Sequence, residues 1–229
     1  MMDSKIIVAL DFNDIAEVLQ FVRQIKPSEC SLKVGKELFT AYGPQIVREL
    51  QALGFEVFLD LKFHDIPNTV YKAIRVAADL GVWMVNVHAS GGREMLTKAR
   101  QAIADSHHKP LLIAVTILTS LSEAAVTEIG YKHSLREQAL HLACLSHECG
   151  LDGVVCSAHE AAAIKQATSV GFLTVTPGIR LSVDKVDDQT RIMTPSVAVT
   201  SGADYLVIGR PITQSASPAE TLRVINQDL

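Results

Sequence analysis

The sequence predicts an α/β protein, a (β/α)8 TIM barrel built as a single domain over residues 1–229. Short apolar runs rich in β-branched residues alternate with segments of helical periodicity, a pattern typical of a parallel sheet covered by helices. About eight such pairs follow one another, which is the count of a (β/α)8 barrel of roughly 250 residues. A doubly wound open sheet is the alternative. Its usual G-x-G-x-x-G fingerprint after the first strand is replaced here by Leu10–Asp14 (LDFND).

The first four pairs are marked by strand-like runs and by residues that begin or end helices. Lys5–Asp11 is the first strand, and Asn13 or Asp14 can cap the helix that Pro27 ends. The next three predicted strands are Cys30–Val34, Glu56–Lys62 and Trp83–His88. Their helices are expected to begin at Pro44, at Pro67 and at about Arg93. Proline suits the first helical position because it lacks an N–H and its φ is already helical.

The last four pairs continue the alternation. The predicted strands are Leu111–Leu118, Gly153–Ser157, Phe172–Thr176 and Tyr205–Gly209. Ser134 and Glu137 predict a capping box at the start of one helix. The other helices are expected near His159–Thr168, near Ser196–Ser201 and from about Pro218. Gly178–Thr194 has no periodicity, and a loop of that length in a compact domain is usually functional, so we interpret it as a lid.

Composition and charge narrow the class of protein. Hydrophobic residues make up 48% and charged residues 20%, which excludes a disordered chain. Lys and Arg number 21 against 25 Asp and Glu, a net charge of −4 with no basic run, so we expect no nucleic-acid partner. A small anionic ligand needs only a few local cations and stays possible.

The cysteines and apolar runs predict a cytoplasmic protein without a membrane partner. The four cysteines form no C-x-x-C pair and are interpreted as reduced thiols. The apolar stretch before Asp11 is too short for a secretory signal. The longest apolar run, near Leu111–Leu121, is shorter than the ~20 residues that a membrane span needs.

Charged and polar side chains collect where the predicted strands end, the edge at which barrel enzymes carry their active sites. The residues at these ends are Asp11, Lys33, Asp60 with Lys62, His88, Thr119, Ser157, Pro177 to Arg180, and Gly209 with Arg210. Isolated charges at strand ends cost desolvation, so we expect these to form a network. The densest group is Asp60–Asp65 (DLKFHD), in which Asp60 and Lys62 are two apart and should face the same side of a strand.

The carboxylates around Lys62 favour its ammonium form. A Schiff-base lysine needs the free amine, which burial or a neighbouring cation provides. Lys62 is therefore interpreted as a positioned acid, suited to a reaction that makes a carbanion and then protonates it. A Schiff-base aldolase is the less favoured alternative.

The last two strand ends predict a phosphate site. They supply Pro177–Arg180 (PGIR) and Ile208–Pro211 (IGRP), where glycine allows close approach of the backbone and arginine adds a bidentate clamp. The alternative is that both arginines are paired with acids. The eight histidines show no H-x-H or H-E-x-x-H spacing, so no metal site is predicted.

Six ordered motifs extend over nearly the whole chain: LDF, LKVG, DLKFHDIPNT, NVHASGG, TPGIR with DDQTR, and VIGRPIT. Together they closely resemble the orotidine 5′-phosphate decarboxylase family. The pattern D-x-K-x-x-D alone is less specific, because sugar-phosphate decarboxylases and synthases of the same suprafamily share it. A magnesium-dependent enzyme of that kind is the main alternative, and a non-catalytic nucleotide-binding barrel is a second.

The resemblance implies a homodimer with sites at the subunit interface. It implies the removal of CO2 from orotidine 5′-monophosphate to give uridine 5′-monophosphate, the last step of de novo pyrimidine synthesis, with no metal or organic cofactor. By the same resemblance, Lys62 protonates C6 and Asp60 lies beside the departing carboxylate. Lys33 and Asp65 complete the charge array, with Asp65 reaching in from the partner chain.

The resemblance also implies a set of substrate contacts. They are Asp11 and Lys33 at the ribose, Ile66 and Thr69 from the partner chain, Thr119 (or the adjacent Ser120) at the pyrimidine edge, and Arg180, Gln189, Gly209 and Arg210 at the phosphate. Gln189 would also reach toward the base.

Overall fold

Eight parallel strands close into a barrel, as predicted. The structure, a computed structural model, describes residues 4–181 and 193–229. The strands are β1 Ile6–Ala9, β2 Ser31–Gly35, β3 Val57–Phe63, β4 Met84–His88, β5 Leu111–Val115, β6 Gly153–Val155, β7 Leu173–Pro177 and β8 Tyr205–Ile208. Each strand pairs with the next in the chain, and β8 pairs with β1 through the register Ile7↔Val207. The largest difference from the prediction is β5, which ends at Val115 instead of Leu118.

Helices follow the strands and cover the barrel. They are α1 Ile15–Val22, α2 Lys36–Tyr42, α3 Pro44–Ala52, α4 Pro67–Asp79, α5 Gly92–Asp105, α6 Glu123–Glu128, α7 Leu135–Glu148, α8 Ala158–Ala167, α9 Pro195–Thr200, α10 Arg210–Thr213 and α11 Pro218–Gln227. The capping box of Ser134 and Glu137 is confirmed, and Asp14 caps α1 by accepting from the Ala16 N–H. The short helices α2, α6 and α10 were not predicted. None of these described helices is long and apolar enough to cross a membrane.

The apolar core has two layers because alternate side chains of a strand point to opposite faces. One layer lies between strands and helices and is continuous around the barrel. The other fills the barrel interior with Ile7, Ala9, Phe58, Met84, Ile113, Val175 and Val207. This filled interior leaves the strand ends as the place for a cavity.

The amino-terminal end of the barrel is held by two similar clamps. Asp152, just before β6, accepts the Leu112 N–H of β5 at 2.7 Å. Asp204, just before β8, accepts the Thr174 N–H of β7 at the same distance. Each carboxylate is paired with a cation, Arg100 for Asp152 and Lys165 for Asp204. Charges at this end therefore satisfy backbone groups, which is a structural role.

We predict that Gly153→Ala destabilises the barrel. A Cβ on Gly153 would lie 2.3 Å from the Leu173 carbonyl oxygen of β7, and a backbone atom cannot move away by a rotamer change. Overpacking of this kind costs about 1–3 kcal/mol, and about 1 kcal/mol lowers the Tm of a chain of this size by about 2–4 °C. Thermal unfolding of the variant measures the effect. Gly171→Ala is the matched control, since its Cβ meets nothing within 4 Å. Equal Tm values for the two variants would contradict the prediction.

Candidate active site

A cavity of about 350 Å³ opens at the carboxyl ends of the strands. Its apolar floor is formed by barrel residues that include Ala9, Phe58 and Val207. The site residues predicted from the sequence that line it are Asp11, Lys33, Asp60, Lys62, Thr119, Arg180, Gly209 and Arg210. The structure thus brings together residues from the ends of β1, β2, β3, β5, β7 and β8. Of the two hydroxyl candidates at the end of β5, Thr119 is the one that lines the cavity.

Four charged side chains form an ion network on one side of this cavity. Asp60 is 8% exposed, and its two oxygens face different ammonium groups: Lys62 Nζ lies 2.6 Å from Oδ1 and Lys33 Nζ lies 3.4 Å from Oδ2. Lys33 Nζ also lies 3.6 Å from an oxygen of Asp11. Charges therefore alternate from Asp11 to Lys62, and the predicted network is confirmed for these four residues.

Lys62 reaches Asp60 through an irregularity in β3. The pairing of β3 with β4 is regular to Leu59↔Val85 and resumes at Phe63↔Val87, so β3 has two extra residues in this interval. Within this bulge Lys62 has φ +53°, the one positive value among the described non-glycine residues. Strict alternation was the predicted reason for Asp60 and Lys62 to face the same side of the strand. Their charged groups do meet, but β3 is not a regular strand between them.

Asn86, in the middle of β4, connects both residues of this pair. Its side-chain oxygen accepts the backbone N–H of Lys62 at 2.8 Å. Its amide nitrogen donates to Asp60 Oδ1 at 2.7 Å. Asn86 is fully buried and was missed in the sequence, although a polar residue inside the apolar run Trp83–His88 was a signal that could have found it.

The surroundings of Asp60 keep its carboxyl group ionised. Burial raises the pKa of this carboxyl, but the positive charges of Lys33 and Lys62 lower it. Hydrogen bonds from Lys62 and Asn86 act in the same direction. The net result is a pKa below the ordinary value, so Asp60 carries its negative charge at neutral pH.

His88, at the end of β4, is neutral at pH 7. Burial lowers its pKa to about 4, and the nearby His64, Lys36 and Lys62 add to this shift. The rings of His64 and His88 lie 5.5 Å apart. His88 therefore adds no positive charge beside Lys62.

Arg180, Gly209 and Arg210, from the ends of β7 and β8, line the same cavity as the ion network. Arg180 donates its backbone N–H to the Met193 carbonyl at 3.2 Å. Gly209 leaves room beside Asp11, since a Cβ there would lie 3.3 Å from Asp11 Oδ2. No carboxylate of the described residues forms an ion pair with either arginine. The alternative in which acids hold both arginines therefore has no support in this part of the chain.

Of the other predicted site residues, one lies outside the described part of the chain, and three are described but do not line the cavity. Gln189 and most of the proposed lid Gly178–Thr194 lie outside the described residues. Asp65, Ile66 and Thr69 are exposed on the loop and first turn before and within α4. Ile66 is 67% exposed, and Asp65 accepts the Ile66 N–H at 2.7 Å.

The donor set around Asp60 does not favour a divalent cation. Residues 4–181 and 193–229 contain no group of three or more His, Cys, Asp or Glu side chains placed to hold a metal ion. Both oxygens of Asp60 face ammonium groups, which repel a cation.

The fold and this cavity define a barrel protein with a site for a small anionic ligand at its carboxyl-terminal rim. A model of the "Orotidine 5'-phosphate decarboxylase / HUMPS family" matches residues 4–225. The chain belongs to this family.

Similar proteins cover the same length. The orotidine 5'-phosphate decarboxylase of Tolumonas auensis is 57% identical over 231 residues, which is 100% of both chains. That of Chromobacterium violaceum is 57% identical over 99% of this chain and 92% of its own. The crystal structure of orotidine 5'-phosphate decarboxylase from Lactobacillus acidophilus superposes with a TM-score of 0.88, at 35% identity and 99% coverage of both chains.

Proposed function

We propose that this protein is a carboxy-lyase that converts orotidine 5′-monophosphate to uridine 5′-monophosphate and CO2 in pyrimidine biosynthesis. The observation that carries the proposal is the Lys62 ammonium group, held 2.6 Å from the buried Asp60 carboxylate in the cavity of a chain of this family. A fixed ammonium group beside an ionised carboxylate can both attract a carbanion and protonate it.

The chemical step needs only the substrate and this lysine. The bond between C6 and the carboxylate breaks, CO2 leaves, and the electron pair stays on C6. The positive charge of Lys62 stabilises this carbanion in a water-poor site. Lys62 Nζ then gives a proton to C6, which forms the C–H bond, and the resulting amine takes up a proton from solvent.

Asp60 and Lys33 prepare Lys62 for this step. Asp60 is ionised and binds the Lys62 ammonium group, so the charge and its proton are oriented before the substrate arrives. Lys33 balances the second oxygen of Asp60, which lets a carboxylate stay buried beside the departing CO2. We assign Lys33, Asp60 and Lys62 catalytic roles within one chain.

The rest of the cavity binds the parts of the nucleotide that do not react. We place the ribose at Asp11 and Lys33, the pyrimidine edge at Thr119, and the phosphate at Arg180, Gly209 and Arg210, with Gln189 from the lid. Contacts far from C6 supply binding energy that can be used to desolvate and orient the reacting group. Arginine is suited to the phosphate because its guanidinium group can donate two parallel hydrogen bonds.

We propose that the protein works as a homodimer. Asp65, Ile66 and Thr69 are exposed and follow directly on the strand that carries Asp60 and Lys62. A largely exposed isoleucine next to a charged rim suits a protein interface. In the dimer, Asp65 of each chain completes the charge array of the other.

A cytoplasmic location fits the thiol chemistry. All four cysteines are free, and two of them, Cys30 and Cys156, are buried. Burial, with a smaller contribution from Glu29, raises the pKa of the Cys30 thiol to about 12, so it stays protonated. Free thiols are typical of a reducing compartment.

We expect the purified protein to remove orotidine 5′-monophosphate, measured as loss of ultraviolet absorbance, at the same rate with and without EDTA. The reason is that the proposed step uses only Lys62 and its neighbours. Activity that EDTA abolishes and Mg²⁺ restores would support the metal-dependent alternative. Nucleotide binding without turnover would support a binding protein.

Lys62→Ala should lower kcat by about 10³-fold or more, because it removes the charge and the proton that act on C6. The affinity for uridine 5′-monophosphate should change little, since the phosphate contacts remain. Steady-state kinetics and product titration measure the two quantities. A variant that keeps most of its kcat would refute the assignment of Lys62.

Arg210→Ala should act mainly on binding. A charge-assisted hydrogen bond contributes about 1.5–3 kcal/mol to binding. Its loss should therefore lower kcat/KM for the phosphorylated substrate about 10- to 100-fold. Turnover of orotidine, which lacks the phosphate, should be spared. Equal losses on both substrates would contradict a phosphate role for Arg210.

Mixing subunits tests the shared site. Lys62→Ala and Asp65→Ala proteins should each be inactive, but a mixed dimer has one site in which neither substitution is present. We therefore expect activity to return after the two proteins are unfolded and refolded together. Refolding each variant alone is the control. No recovery in a mixture that forms dimers would place Asp65 in the site of its own chain.

A further inference from the structure

We propose that Asn86 is a positioning residue for the reaction, which fixes both the backbone of Lys62 and the carboxylate of Asp60. The inference rests on the proposed function. Its physical basis is the pair of hydrogen bonds that one buried amide makes to the two residues of the ion pair.

The first bond compensates for the bulge in β3. Regular pairing with β4 stops at Leu59 and resumes at Phe63, so the Lys62 N–H falls in the interval where the ladder is interrupted. A buried N–H without a partner is costly. The side-chain oxygen of Asn86 accepts this N–H at 2.8 Å and so replaces the missing ladder partner.

The same bond holds an unfavourable backbone conformation. Lys62 has φ +53°, a region that residues with a Cβ rarely occupy. Strained conformations persist where the surrounding structure determines them, and they concentrate at functional sites. In the extended conformation of a regular strand, the Lys62 side chain would leave Cα in another direction. By holding this backbone conformation, Asn86 contributes to the position of the Lys62 ammonium group.

The second bond orients Asp60. Its Oδ1 accepts from both Asn86 Nδ2, at 2.7 Å, and Lys62 Nζ, at 2.6 Å, while Oδ2 faces Lys33. The carboxylate is therefore held by two hydrogen bonds and one ion pair, from partners on three strands. Rotating the Asn86 amide by 180° would place its oxygen against the carboxylate and its nitrogen against an N–H, so only one orientation satisfies both neighbours.

Asparagine meets these demands as an uncharged side chain, whereas an aspartate of the same size meets them only when it is protonated. The amide carries an acceptor oxygen and a donor nitrogen on the same carbon atom. An aspartate in its ionised form would accept the Lys62 N–H but would repel Asp60. A protonated aspartate would restore both hydrogen bonds, because its hydroxyl can donate to Asp60.

Because only some replacements of Asn86 can restore its two hydrogen bonds, Asn86→Asp and Asn86→Ala test its proposed role. In the wild type, the groups around Asp60 are Lys33 on β2, Lys62 on β3, and Asn86 with His88 on β4, while Asp11 faces Lys33 from the end of β1. Removing the amide donor raises the pKa of Asp60, so the acid limb of kcat should move to higher pH in Asn86→Ala. In Asn86→Asp, kcat should instead rise as pH falls, as the two carboxyl groups come to share a proton.

At pH 7 both variants should lose about 100-fold in kcat, the scale expected for a misplacement of about 1 Å. Their KM and affinity for uridine 5′-monophosphate should stay close to the wild-type values, because the phosphate contacts are untouched. Asn226→Asp is the matched control. The Asn226 amide bridges Ser4 and the Glu29 carbonyl outside the cavity. The kcat and the pH profile of this control variant should therefore match those of the wild type.

Two results would overturn the inference. One is a wild-type kcat in both Asn86 variants. The other is a parallel loss of kcat, nucleotide affinity and Tm with an unmoved pH profile, which is the signature of a purely structural residue.

A measurement without turnover separates this inference from the proposed function. The pKa of Asp60 can be followed by carbon-13 NMR of its carboxyl group, assigned by its absence in Asp60→Asn. We expect a higher pKa in Asn86→Ala than in the wild type, whether or not orotidine 5′-monophosphate is the substrate. An unchanged pKa would refute the contact to Asp60, whereas an inactive wild type with the expected shift would refute only the assigned reaction.

Discussion

The ion pairing of the buried Asp60 carboxylate with two ammonium groups is the interaction on which the rest of the site depends. A buried carboxylate without partners would be protonated, and two ammonium groups without it would repel each other. Asp60 is 8% exposed, yet its pKa lies below the ordinary value because Lys33, Lys62 and Asn86 surround it. These partners come from three neighbouring strands, so the network requires a parallel sheet whose carboxyl ends meet. Removing one member would leave the charges of the others uncompensated, so we expect the group to act as a unit.

The two ends of the barrel use charge in different ways. At the amino-terminal end, Asp152 and Asp204 accept backbone N–H groups and are neutralised by Arg100 and Lys165. At the carboxyl-terminal end, Lys62 has a left-handed backbone and its ammonium group faces a cavity. The amino-terminal end stabilises the barrel. At the carboxyl-terminal end, the strained backbone of Lys62 positions a reactive group. The filled interior between them lets the rim depart from ideal geometry without opening the barrel.

Periodicity and end residues were enough to predict the eight strands, most helices and the charged rim, because these depend on local sequence and on which faces are buried. Asn86 could not be derived in this way. Its importance follows from the register shift between β3 and β4, and the partner of a bulge is a tertiary property. The positive φ of Lys62 was hidden for the same reason, since the apolar residues around it continue the strand pattern. The short helices α2 and α6 lie in long connections, where few turns give little periodic signal.

The charge balance of the network explains why a second chain would matter to the proposed reaction. Within one chain, Lys33 and Lys62 face Asp11 and Asp60, so two positive charges meet two negative ones. Such a neutral set could bind the substrate carboxylate without strong repulsion, which would stabilise the ground state and slow the reaction. In the proposed dimer, Asp65 of the partner adds one negative charge, and the bound carboxylate adds another. In the proposed reaction, loss of CO2 would remove the substrate carboxylate and leave a carbanion beside Lys62, so the negative charge would shift away from the aspartates and toward the ammonium group. The exposed loop that carries Asp65 would therefore add a negative charge to an otherwise neutral ion network, and this added charge would favour decarboxylation.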